Sequence, residues 1–243
     1  MLYLVTLCLS LALVLTTMLH TLSVNISTAG FNFVLKIMEW APLWCFLFID
    51  NATYAYTAAF GVAAFDMLCL TYIQHKMGKI QEWPKPLDVI FLCVFGLLTI
   101  LAWIYQESVE TIELYSGTAI NAFLAVGFFV SWLLGRPVVR GYQVDKLGEE
   151  KASHPVMVHM ASRMSVMFTI AFSSAALISA IWPESDWAML ICNLIVGGAF
   201  LTAYKIYPAY VKNNTDEIAA LYEDEIAEWE AKHPEINFAG ELA

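Results

Sequence analysis

Charge is what this sequence has least of. Only 14% of its 243 residues are Asp, Glu, Lys or Arg, against about a quarter in an ordinary soluble domain. Its twelve Lys and Arg form no basic stripe that could neutralise a phosphate backbone, which excludes nucleic acid as a partner. Cysteine is sparse too. Cys8, Cys45, Cys69, Cys93 and Cys192 all fall inside apolar segments, with no Cys-x-x-Cys pair among them. Such cysteines read as small packing residues, not as a disulfide framework or a zinc site. The motifs of enzymes are missing as well: no serine–histidine–acid set, phosphate loop, dinucleotide fingerprint or His-Glu-x-x-His occurs. Neither catalysis nor a cofactor is expected.

What the sequence has in excess is hydrophobic residues, 60% of the total. They are gathered into runs of about twenty, the length that crosses the hydrocarbon core of a bilayer. The runs cover residues 2–22, 31–49, 53–73, 87–105, 114–134, 158–182 and 187–207. The connections alternate in charge. Residues 74–86 carry Lys76, Lys79 and Lys85, and 135–154 carry Arg136, Arg140, Lys146 and Lys151. Between them, 106–113 carries Glu107, Glu110 and Glu113, and 183–186 carries Glu184 and Asp186. Lys and Arg are retained on the cytoplasmic side. The pattern therefore predicts seven spans with the amino terminus outside and the carboxyl terminus inside. The first run could instead be a secretory signal cleaved near Ala29, but no Lys or Arg precedes it. The span 31–49 carries Pro42 at its centre and is the least regular. Tyr105, Trp182, Trp187, Tyr204, Tyr207 and Tyr210 fall at the expected interfaces, where amphipathic rings are favoured. Small residues around Gly117–Gly127, at 173–176 and at 197–199 offer faces for close helix packing.

After Pro208 the character changes. From Asn213 to the end there are nine Asp or Glu and one Lys, so the tail carries −8 of the total −10 and the body only −2. Asn214 with Glu217 reads as a helix start, and His233-Pro234 as its end. Ile218, Leu221, Tyr222, Ile226 and Trp229 share one face of that helix, into which Glu225 intrudes. An acidic amphipathic helix is repelled by anionic lipid, so a protein surface, the chain's own loops included, is its expected dock. The chain thus divides into an amino-terminal span and loop (1–30), a six-span membrane domain (31–210) and an acidic cytoplasmic tail (211–243).

Several short segments resemble the bacterial intracellular septation protein A family of inner-membrane proteins. They are Glu39-Trp40-Ala41-Pro42-Leu43-Trp44-Cys45-Phe46, Thr57-Ala58-Ala59, Lys76-Met77-Gly78-Lys79-Ile80, Val94-Phe95-Gly96-Leu97-Leu98-Thr99 and Gly135-Arg136-Pro137-Val138-Val139. The resemblance covers about residues 31–210; the first span, the linker 140–154 and the acidic tail lie outside the family pattern. It implies a non-catalytic, multi-pass protein of the bacterial cytoplasmic membrane, serving cell-envelope maintenance and division through other membrane or envelope proteins. Homo-oligomers are left open.

The candidate functional residues are the polar ones in or beside spans. Asp66 is the sharpest: a carboxyl at depth marks an ion or proton path, or is held by a neighbour such as Asn121, Thr99 or a tyrosine. Lys36 and Glu39, three residues apart, can pair on one helix face near the inner interface. Gly135-Arg136-Pro137 reads as a helix stop at the membrane surface, with Arg136 and Arg140 placed to meet phosphates or the acidic tail. His154 and His159, with Met160, Met164 and Met167, suggest soft-metal ligands, although five residues is a poor spacing for one helix face and Pro155 starts a helix there. Arg163, a turn inside that helix, reads as an inner-interface anchor in preference to an anion ligand. Two further readings remain open: a transporter or channel lined by Asp66, Lys36 and Glu39, and an accessory subunit of a membrane redox or energy-transducing complex.

Overall fold

The computed structural model describes residues 42, 45, 49–76, 78 and 81–236. The expected spans 2–22 and 31–49 lie outside the described residues, save for three positions of the second, as do Lys36 and Glu39. Among the described residues every regular element is helical. Five helical stretches are long and apolar enough to cross a membrane: Ala52–Lys76, Pro86–Ile104, Ser116–Leu133, Pro155–Ile181 and Asp186–Asn213. They match the last five of the seven runs. The seven-span count itself rests on the first two.

The first stretch is α1 (Ala52–Phe65), a π-helical segment (Asp66–Thr71) and α2 (Tyr72–Lys76). Asn51 starts it, its side chain accepting from the Tyr54 backbone N–H. Ala52, Ala55, Ala59 and Ala63 form a buried stripe on α1, packed against α3 (Pro86–Ile104). Missing side-chain volume lets the two backbones come close, the means by which helices associate in lipid. A short 3₁₀ turn and α4 (Val109–Leu114) then lead into α5 (Ser116–Leu133).

α5 ends as its sequence dictates. Gly135 sits at φ +70°, its N–H donates to Trp132 O, and the Arg136 N–H reaches Ser131 O at 2.9 Å. This paired bonding around a left-handed glycine closes a helix, and Pro137 prevents its resumption. Two short helices follow on the polar side, α6 (Val138–Leu147) and α7 (Glu149–Ala152). Pro155 then opens α8 (Pro155–Ile181), with His154 as its N-cap.

α8 is the centre of the bundle. It packs along α5 and along α9 (Asp186–Leu201), with Phe128, Phe168, Phe172 and Phe200 meeting at ring separations of 4.9–6.1 Å. At Gly127 of α5 a Cβ would overlap the Ile90 side chain of α3, so this glycine marks a close crossing. Gly197 and Gly198, expected at a packing face, face open space instead. α9 runs through a second π segment (Thr202–Ile206) into α10 (Tyr207–Asn213). Pro208 supplies no N–H to the turn before it, and the wider π turn accommodates that loss.

The outward faces carry Leu97, Ile100, Ile104, Val126, Leu133, Ile170, Leu177, Met189 and Leu194, all exposed. Such a continuous apolar belt fits lipid and not water. The loops sort by charge. Asp50, Glu113 and Ser116 line one groove, and Thr118 meets Ser179, so the carboxylate-bearing turns gather at one end. The Lys85 and Arg140 loops gather at the other.

The tail departs from the single helix expected. It is two short helices, α11 (Thr215–Ala220) and α12 (Glu223–Lys232), broken at Leu221-Tyr222. Asn214 does not cap the first; its amide turns back to Tyr210 O. Because of the break Leu221 points away, 70% exposed, while Ile218 and Trp229 are buried. The end at His233 is as expected.

Candidate functional site

The basic end of the bundle holds the densest polar construction among the described residues. Residues 81–85 arrive there with no helix of their own, as Trp83-Pro84 requires. The Trp83 indole folds back and donates to Met67 O at 2.8 Å, with its ring against Tyr72 and His75. The π turn makes this acceptor available: Met67 O also takes the Thr71 hydroxyl at 2.9 Å.

One carboxylate clips the segment down. Asp145 of α6 accepts the Gln81 backbone N–H on Oδ1 at 2.9 Å and pairs through Oδ2 with Lys85 Nζ at 2.8 Å. The Lys85 ammonium also lies 4.6 Å from the Tyr142 ring centre, a cation–π contact. Asp88, at the start of α3, is within interaction range of Lys85, Thr71 and Asp145 and is only 5% exposed. Beside them Gln143 is 8% exposed, and neither of its side-chain polar atoms has a hydrogen-bond partner among the described residues. Lys85, Asp88, Gln143 and Asp145 were not singled out from the sequence. The signal was an acid set two residues into an apolar run, three after a lysine, and a second acid inside a basic linker.

The sequence-derived candidates are distributed differently. Asp66 is buried at the first position of the π segment. Neither residue proposed to hold it does so: Asn121 donates to Gly117 O of its own helix at 2.9 Å, and the Thr99 hydroxyl has no hydrogen-bond partner among the described residues. Arg140 pairs with Glu149 Oε1 at 2.6 Å and makes no ion pair with the described part of the tail. Arg136 is exposed at the end of α5 and makes no ion pair among the described residues. Among the described residues these arginines make no ion pair with the acidic tail, and other contacts fasten it.

The tail docks through rings. Trp229 Nε1 donates to Ser153 Oγ at 2.9 Å, and its ring meets His154 edge-on at 4.8 Å and stacks on His233 at 4.5 Å. The Tyr222 hydroxyl bonds His159 Nδ1 at 2.7 Å. Ile218 packs against Val156 and Val211, and Trp229 against Met157. The two histidines, for which the sequence offered soft-metal ligation only as a minor alternative, form the floor on which the tail rests. Among the described residues no three His, Cys, Asp or Glu are grouped to hold a metal ion. His154 Nδ1 accepts from the Val156 N–H at 3.3 Å, and burial pushes its pKa down to about 4.

Among the described residues, fold and site together define a class: an all-helical protein with five helices suited to a bilayer and a polar cap at one end. No family model, curated protein or solved structure matches the chain.

Proposed function

We propose that the chain is a non-catalytic, multi-pass protein of the bacterial cytoplasmic membrane that acts as an envelope-associated scaffold. In this reading the basic end and the tail are cytoplasmic, and the tail is an amphipathic platform for partners. One observation carries it. The tail is fastened by Ile218, Tyr222 and Trp229, so that Glu223, Asp224, Glu228 and Glu230 are turned outward together with Leu221. An exposed leucine within a ring of carboxylates suits a basic partner with an apolar pocket. The division-related part of the role rests on the resemblance of the short motifs alone.

Crosslinking and affinity purification from native membranes tests the platform. Partners of the wild-type chain are expected to be lost from Leu221→Asp, with the protein still inserted and its tail still docked. Identical partners from both would refute the reading.

A transporter reading is favoured by a different observation. Asp66 and Thr71 lie one π turn apart, Thr71 neighbours Asp88, and Asp88 neighbours the Lys85–Asp145 pair. This is a line of buried polar groups from inside the bundle to its basic end. Ion or proton flux into proteoliposomes that vanishes in Asp66→Asn would favour transport over the scaffold.

A further inference from the structure

A groove of about 640 Å³ runs between α8, the end of α5 and the docked tail, lined by Trp132, His159, Ser162, Arg163, Tyr222 and Glu225 among others. Its depth in the membrane follows from helix lengths. α8 has 27 residues, about 40 Å of helix against about 30 Å of hydrocarbon. Counting about twenty residues inward from Trp182 puts the far boundary at Ser162 and Arg163. α5 agrees, because Trp132 sits in its last turn and donates to Ser162 Oγ at 2.6 Å. α9 agrees as well: the same count from Trp187 reaches Tyr207, whose ring stacks with Tyr210. The groove therefore lies at the level of the phospholipid headgroups.

Its charges come as a separated pair. Arg163 is exposed and makes no ion pair or hydrogen bond among the described residues, and Glu225 faces the groove from the tail. The acid that interrupts the apolar face of the tail thus has a place. The Ser162 hydroxyl, which accepts from Trp132, still has its own hydrogen to donate. Along α8, Val158 lies one turn before Ser162 and Val166 one turn after it, on the hydrocarbon side, and both add apolar surface to the groove. A single exposed cation, a neighbouring donor, an opposed carboxylate and an apolar flank towards the hydrocarbon match one headgroup chemistry.

We propose that this groove is a site for a zwitterionic aminophospholipid, with the phosphate on Arg163 and Ser162 and the primary ammonium on Glu225. A phosphate on an arginine gains paired charge-assisted hydrogen bonds. The carboxylate supplies selectivity against lipids that carry only negative charge. The occupant is a membrane lipid because the groove opens at bilayer depth. This inference rests on the membrane reading and is independent of the scaffold role.

Native mass spectrometry of the full-length protein, released from mixed phosphatidylethanolamine and phosphatidylglycerol vesicles, provides the test. The wild type is expected to retain phosphatidylethanolamine selectively, and Arg163→Ala to retain it about tenfold less, the loss of one charge-assisted contact. Glu225→Lys, an exposed change that leaves the bundle intact, is expected to invert the preference towards phosphatidylglycerol. Equal retention of both lipids by the wild type overturns the site, as does a Glu225→Lys protein with unchanged preference. Displacement of the lipid by soluble glycerophosphoethanolamine would overturn the assignment of a membrane lipid.

Discussion

The two ends of the helical bundle are built differently. At the acidic end the connections are short and polar, Glu107, Glu110 and Glu184 reach outward, and the described turns are joined by neutral contacts, Thr118–Ser179, Trp103–Thr57 and Tyr56–Ser116, with no ion pair there among the described residues. At the basic end four separate stretches are tied together by Lys85–Asp145, Gln81–Asp145, Trp229–Ser153 and Tyr222–His159. Between them the spans are held mainly by alanine stripes and phenylalanine clusters. Apolar packing of that kind is shared by many contacts and tolerates single changes of similar volume. A nearly buried ion pair such as Lys85–Asp145 does not, because breaking it leaves a partner uncompensated. The basic end should therefore be the sensitive one.

The largest effect is expected at the Lys85–Asp145 pair. Lys85→Ala leaves a nearly buried carboxylate and should cost about 3–5 kcal/mol, seen as a lowered thermal midpoint of the purified protein. The double change Lys85→Met with Asp145→Leu should recover most of it. Next comes Trp229→Ala, which should weaken tail docking by about 3 kcal/mol. Hydrogen exchange should then rise across 215–236 while the spans keep their protection. Gly127→Leu tests the middle of the bundle: it forces a side chain onto Ile90 and should cost about 1–3 kcal/mol in the same thermal assay. Least of all should be Arg140→Gln, since its pair with the exposed Glu149 is worth about 0–1 kcal/mol.

Acidity separates the ends further. His154 has its pKa lowered from 6.5 to about 4, so the released chain binds a proton between those values that the docked tail refuses. The docked state is therefore fully favoured above pH 6.5 and loses ground as pH falls towards 4. Protonation would also break the bond that Nδ1 accepts from Val156. Trp229 fluorescence in nanodiscs should report tail release over that window, and His154→Asn should flatten the response.

Legibility in the sequence followed the range of the forces involved. The five described spans were readable because each is one predominantly apolar run, and the stop at Gly135 and the start at Pro155 because cap chemistry is local. Asp88, Gln143 and Asp145 were not, because their meaning depends on bringing the start of α3 to α6, which no period in the sequence reports. His154 and His159 were visible as unusual residues, but their partners Trp229 and Tyr222 lie far along the chain. The stripe Ala52–Ala63 was overlooked because alanine is unremarkable in an apolar run. The tail was read as one helix since its periodicity crosses Leu221 without a Gly or Pro to mark the break.

In the proposed arrangement the bundle crosses a bilayer with its basic end in the cytosol. In a cysteine-free background, single cysteines at Glu110 and Lys146 can be treated with a membrane-impermeant maleimide in intact bacterial cells or spheroplasts, and again after permeabilisation. Position 110 should react in the intact preparation, and position 146 only after permeabilisation. Reaction of both positions from the same side would contradict the arrangement.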